Sequence, residues 1–199
     1  MRYTINGIEY TTRVGDTVVA DGFALHVPGG KPLAVIYFYD EESRCPLGWE
    51  VMKNPTPSHL SSAFRKSCMM LGRIPEVVRI DGERFHDAFF PNEDDFNEVL
   101  TIIGIAAGCD VDLGYRSLPT MHYLSRQQCR SMDSILHTVG RLFELQRNGR
   151  QHHNHLAGRT PRDVFENGRC PVNMMSALDM GIMNWLWRNE VCDLAVASC

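Results

Sequence analysis

Thr17-Val18-Val19-Ala20-Asp21-Gly22-Phe23-Ala24-Leu25-His26-Val27 is followed by Pro28-Gly29-Gly30 and then by Pro32-Leu33-Ala34-Val35-Ile36-Tyr37-Phe38-Tyr39-Asp40. Cys45-Pro46-Leu47-Gly48-Trp49-Glu50-Val51 completes the stretch that decides the fold. β-Branched and aromatic residues fill three short runs, and Gly, Pro and polar residues separate them. That pattern predicts an antiparallel three-stranded meander. Asp21 is the exception inside the first run. A carboxylate in a strand otherwise made for burial is costly unless something pairs with it, and a bound cation is one such partner.

Outward from the meander, residues 1–16 read as a leading strand or arm. On the other side, Thr56 suits an N-cap and Pro57 a first helical position. Leu60, Ala63, Phe64, Cys68 and Leu71 then recur at helical spacing until Gly72. Pro75–Ile80 is a compact fourth strand ending at the turn signal Asp81-Gly82. A loop with Phe85, Phe89 and Phe90 leads to a helix striped by Phe96, Val99, Leu100 and Ile103. Residues 108–114 form a short fifth strand, and 114–127 read as a mobile loop. Met132, Ile135, Leu136, Val139, Leu142 and Phe143 mark the clearest helix. Thr160 and Asp163 sit at capping-box positions of another, and a last apolar helix is expected over 176–188. The order predicts one α/β domain: a mixed five-stranded sheet with helices on both faces. Three parts follow, an arm (1–16), a core (17–169) and a C-terminal helical extension (170–199).

With 199 residues, 44% hydrophobic and 22% charged, the chain has enough material for a sizeable core. No apolar run approaches membrane-span length. The seven cysteines include no C-x-x-C pair, which suits a reducing cytoplasm better than a disulfide framework. A net charge of −4 argues against a uniformly basic nucleic-acid binder, yet the charge is segregated. Arg141, Arg147, Arg150, Arg159, Arg162 and Arg169 fall in 141–169 with His152, His153 and His155, while Glu93-Asp94-Asp95 lies elsewhere. The histidine tract lacks ligand-spaced partners and reads as a solvated loop beside a phosphate backbone rather than a metal site. No local signature marks a nucleophilic Cys–His pair.

The chemistry therefore rests on carboxylates. Asp21 lies in strand one and Asp81 at the C-terminal end of strand four. If those strands are neighbours, the two acids sit close together. Like charges at that separation resist ionisation unless a divalent cation neutralises them. Oxygen ligands favour Mg²⁺ or Mn²⁺, and such a site can clamp the attacking and leaving oxygens of a phosphoryl transfer. In the competing reading Asp81-Gly82 is only a turn and Asp21 bonds to nearby backbone.

Four segments carry a resemblance. They are Val19-Ala20-Asp21-Gly22; Asp40-Glu41-Glu42-Ser43-Arg44-Cys45-Pro46-Leu47-Gly48-Trp49; Gly72-Arg73-Ile74-Pro75-Glu76-Val77-Val78-Arg79-Ile80-Asp81-Gly82; and Gly158-Arg159-Thr160-Pro161-Arg162-Asp163-Val164-Phe165. In this order they resemble the DDE transposases and integrases of RNase H-like fold, of the phage Mu and Tn7 type, over residues 17–166. The resemblance implies Asp21 and Asp81 as the first two catalytic, metal-holding acids and a structural role for Asp40. It implies Mg²⁺ or Mn²⁺ as cofactor, and DNA strand cleavage and transfer as the activity. Cys129 stands where the family places its third acid, a Glu, and Asp133 one turn on is the nearest substitute. The Asp81 motif is one residue shorter than the family's. Arg130, Arg147, Arg150 and Arg159 are the candidate DNA contacts, with a merely solvated helical face as the competing reading of the arginines over 141–169. A homo-oligomer or larger transposition complex, in a bacterial or phage-encoded cytoplasmic setting, is the expected context. Two main readings follow: an active recombinase core, or a degenerate module serving as a DNA-binding, assembly or regulatory subunit; a more distant one is another RNase H-like nuclease using these two acids and a third not seen in the pattern.

Overall fold

The structure is a computed structural model that describes residues 2–5, 8–11, 13–116, 120–126, 128–149, 156 and 158–168. The helix expected over 176–188, the histidine tract and Arg150 lie outside the described residues. The leading segment is a hairpin rather than a single strand: β1 (Arg2–Ile5) and β2 (Ile8–Thr11) pair antiparallel in a sheet of their own.

The meander is present as read. β3 (Thr17–His26), β4 (Leu33–Asp40) and β5 (Pro46–Met52) run antiparallel. β6 (Val77–Ile80) joins the other edge of β3 in parallel, and β7 (Asp110–Asp112) lies parallel beyond β6. The order is thus β5-β4-β3-β6-β7. A sixth strand, β8 (Thr120–Tyr123), pairs parallel with Phe23–His26, inside the segment expected to be a loop. The reason is geometric. β3 has ten residues, but four-residue β6 covers only its Thr17–Ala20 half. The remaining edge would leave backbone donors and acceptors unpaired, and β8 takes them. With helices on both faces, this is the expected mixed α/β architecture, with six strands in the main sheet instead of five.

Helix α1 (Pro57–Leu71) starts with Pro57 in its first turn and ends at Gly72, whose φ of 77° is left-handed. Its buried side, which includes Leu60, Phe64 and Cys68, meets Val18, Ala20, Ile36 and Phe38 on one sheet face. Gly48 allows the contact: a Cβ there would fall 2.1 Å from the Ala63 carbonyl oxygen. A short helix, α2 (Gly82–Ala88), replaces the expected loop, with Phe85 wholly buried. α3 (Glu93–Leu100) runs into a π-helical turn over Thr101–Ala106.

The opposite face is covered by α4 (Met132–Asn148). Its Ile135, Val139 and Phe143 pack on Phe23, Leu25, Leu33 and Val35. Strand alternation thus builds two cores from one ribbon, Val18 and Ala20 facing one way and Phe23 and Leu25 the other. Finally, α5 (Pro161–Gly168) is held by the expected capping box: Thr160 N–H donates to Asp163 Oδ2 and Asp163 N–H to Thr160 Oγ1, each at 3.1 Å.

Candidate acidic site at the β3–β6 seam

In the parallel ladder Ala20 lies opposite Ile80. The next residue after each is an acid: Asp21 continues β3, and Asp81 directly follows β6 and bridges Gly114. Asp21 alternates away from the Val18–Ala20 core, toward the face that carries Phe23 and Tyr37. Arg84 links the two carboxylates singled out in the sequence, donating from its guanidinium to Asp21 and from its backbone N–H to Asp81.

Their partners are donors. Asp21 Oδ1 accepts from its neighbour Gly22 N–H at 2.7 Å and from Arg84 Nη1 at 2.7 Å. Its Oδ2 accepts from the Tyr37 hydroxyl at 3.1 Å, Tyr37 being directly opposite in the β3–β4 register. The Asp21 and Arg84 side chains are each 13% exposed. Burial pushes the Asp21 carboxyl above the usual Asp range, while Gly22, Arg84 and Tyr37 pull it back. The Tyr37 hydroxyl is raised in turn by its own burial and by the Asp21 charge.

Asp81 is buried and serves as the N-cap of α2, accepting from Arg84 N–H at 3.2 Å. Arg116, itself mostly exposed, places Nη1 3.4 Å from the same oxygen. Arg84 therefore touches both acids, one through its guanidinium and one through its backbone, and its Nη2 also donates to the Gly22 carbonyl. The sequence reading missed Arg84, Arg116 and Tyr37. Tyr37 was recoverable from the hairpin register alone. Arg84 required knowing that Asp81-Gly82 opens a helix rather than a turn.

A Mg²⁺- or Mn²⁺-type ion needs a shell of oxygen acceptors with open coordination positions. Here one N–H group, one O–H group and a guanidinium surround Asp21, and two further donors point at Asp81 Oδ1. This donor set does not fit a divalent metal. Among the described residues no group of three or more His, Cys, Asp or Glu is arranged to hold one.

The third position does not repair this. Asp133 is exposed in the first turn of α4. It stands two residues from buried Ile135, about 200° around the helix from the face that meets the sheet. Cys129 precedes α4 and is half-buried, with its backbone N–H on the Arg126 carbonyl at 3.3 Å.

Asp40 fits its structural expectation. Fully buried, it accepts from Gly15 N–H (2.7 Å), Ser43 N–H (2.7 Å) and Ser43 Oγ (2.6 Å). The Asp-x-x-Ser signature is thus a turn lock, just as Gly48 is a packing device. Burial also pushes the Cys45 thiol up to about 12, which makes it an inert core group rather than a nucleophile.

Of the arginines proposed to meet DNA, Arg147 is engaged within the chain. It donates to the Pro46 and Leu47 carbonyls at 2.8 and 3.0 Å and to Glu144 at 2.7 Å, tying α4 to β5. Arg130 and Arg159 are exposed.

No protein-family model matches the chain, and no curated protein matches it. Solved structures with a similar chain course include the HTLV-2 integrase catalytic core domain in complex with magnesium, in a dimeric form. It shows 12% identity and a TM-score of 0.49, covering 77% of this chain and 96% of that one. The trimeric form of the same domain gives 11% identity and 0.45, covering 77% and 97%. A chain of the simian T-cell lymphotropic virus intasome in complex with PP2A regulatory subunit B56 gamma gives 12% and 0.42, covering 81% of this chain and 59% of that one. No helix among the described residues is long and apolar enough to cross a membrane.

Proposed function

We propose that the chain is an integrase- or transposase-like module of a DNA integration or transposition system, acting as a DNA-binding and assembly subunit rather than as the metal-dependent nuclease. The observation that carries this reading is the position of Asp133, on the exposed side of α4 and turned from the sheet, with Cys129 where the resemblance wants a Glu. Phosphoryl transfer by two metal ions needs carboxylates converging on one point; α4 contributes none there. Exposed Arg130 and Arg159 supply phosphate contacts in this scheme. The subunit works within a homo-oligomer or larger recombination complex.

The catalytic reading keeps one specific support: Asp21 and Asp81 directly follow Ala20 and Ile80, which pair in the β3–β6 ladder. If that reading held, Asp21, Asp81 and Asp133 would act on DNA with Mg²⁺ or Mn²⁺. An assay for strand cleavage and transfer in either metal separates the two, with Asp21→Asn as control. No product, alongside salt-dependent DNA binding, is the expected result. Metal-dependent product that Asp21→Asn abolishes would return the chain to the enzymes. Replacing Arg130 and Arg159 by Ala is expected to weaken DNA binding and lower the log–log salt slope by about one per residue.

A further inference from the structure

We propose that the Arg84 guanidinium is the built-in counter-ion of the Asp21–Asp81 pair, holding the place where two neighbouring carboxylates would otherwise call for a divalent ion. The inference rests on the non-catalytic reading above and explains how the seam survives without a metal. Two acids that follow paired strand positions and share one arginine repel each other unless a cation sits with them. Arg84 meets that need from a fixed direction. Asp81 caps α2 through the Arg84 N–H, and the first turn of α2 then aims the Arg84 side chain back at Asp21 Oδ1 and the Gly22 carbonyl. One acid thereby positions the cation that neutralises the other.

The aim is enforced by packing. Phe85, the next residue, is fully buried, and Phe89 at the end of α2 presses on β3 so closely that a Cβ on Gly22 would lie 2.5 Å from its ring. The helix carrying Arg84 has little room to swing away. Its side chain is 13% exposed, so this is an interior pair rather than a screened surface one. A guanidinium keeps its charge at every physiological pH and offers only donors. It can neutralise the pair but cannot bind and activate a water as a metal does. Arg116, which approaches Asp81 and Glu83 at 3.4 and 3.7 Å and is 63% exposed, is an outer addition to the same neutralisation.

The test uses the full chain and MnCl₂ as the probe. Thermal melting with and without millimolar Mn²⁺ is combined with Mn²⁺ binding by electron paramagnetic resonance. The proteins are the parent, Arg84→Ala, Arg84→Gln and the double variant Asp21→Asn/Arg84→Gln. The parent is expected to show no Mn²⁺-dependent rise in melting temperature. Arg84→Ala and Arg84→Gln are expected to melt lower without metal and to recover several degrees with it, by linkage of binding to folding. The double variant is expected to lose that response. A parent that binds Mn²⁺ as well as Arg84→Gln does would overturn the proposal. So would a folded Arg84→Gln without a response, or failure of both single variants to fold in Mn²⁺. Metal-dependent DNA cleavage by the parent would sink the functional reading. An inactive parent together with a Mn²⁺-blind Arg84→Gln would sink this inference alone.

Discussion

Asp40 and Asp21 are both acids in the meander, and the fold treats them differently. Asp40 is wholly buried and is satisfied by neutral groups: the N–H and hydroxyl of Ser43 in its own turn and the N–H of Gly15, 25 residues earlier. Asp21 has one backbone donor, one phenol and one guanidinium that arrives from a helix 63 residues further along the chain. The first acid is locked by neutral dipoles, two of the three from its own turn. The second depends on a distant charge. Asp40 therefore marks a structural turn, and Asp21 marks a site whose character is set by whatever cation the rest of the fold delivers.

The contrast breaks most visibly at Asp40. Asp40→Ala strands three donors, at roughly 1–3 kcal/mol each when left buried and unpaired, so a loss of about 4 kcal/mol is expected in urea unfolding. A loss under 1 kcal/mol would show that the turn does not need its carboxylate. Asp21→Asn is expected to cost less, about 2 kcal/mol. It leaves the Arg84 charge without its carboxylate but keeps Arg84 on the Gly22 carbonyl. Adding Arg84→Gln to Asp21→Asn should restore part of the loss, since the stranded charge goes too; strict additivity in a double-mutant cycle would deny the coupling. Tyr37→Phe removes one hydrogen bond to Asp21, and about 1 kcal/mol is expected.

The smallest effect is in pH. Burial raises the Asp40 carboxyl above its usual range. In the window above the unfolded Asp value of about 3.9, the folded protein then binds more protons than the unfolded one. Stability contributed by this group is fullest below that value and declines as pH rises through the folded pKa. Urea midpoints between pH 4 and 7 should therefore fall less steeply with pH in Asp40→Asn than in the parent. An unchanged slope would show that Asp40 does not titrate in this range.

Much of the fold could be read directly. The strands of the meander, the α1 boundaries at Pro57 and Gly72, the α4 stripe and the Thr160 cap all depend on neighbours within about a turn of each other, so local pattern reveals them. The arginine at 147 shows the limit. Its composition suggested a DNA contact, but its donors go to carbonyls 100 residues away on β5. α2 was missed because seven residues offer too short a period to register, and its cap looked like a turn. β8 was missed because a four-residue strand answers to the length of β3, not to its own sequence.

The sequence by itself determined that an acid would sit in the first strand and another at the end of the fourth, because alternation and turn signals are properties of adjacent residues. That one arginine touches both acids, that Asp133 turns to solvent, and that the Arg84 guanidinium lies against Asp21 were decided only in three dimensions. Pairing register, helix rotation and the aim of a capped helix join residues that nothing along the chain connects.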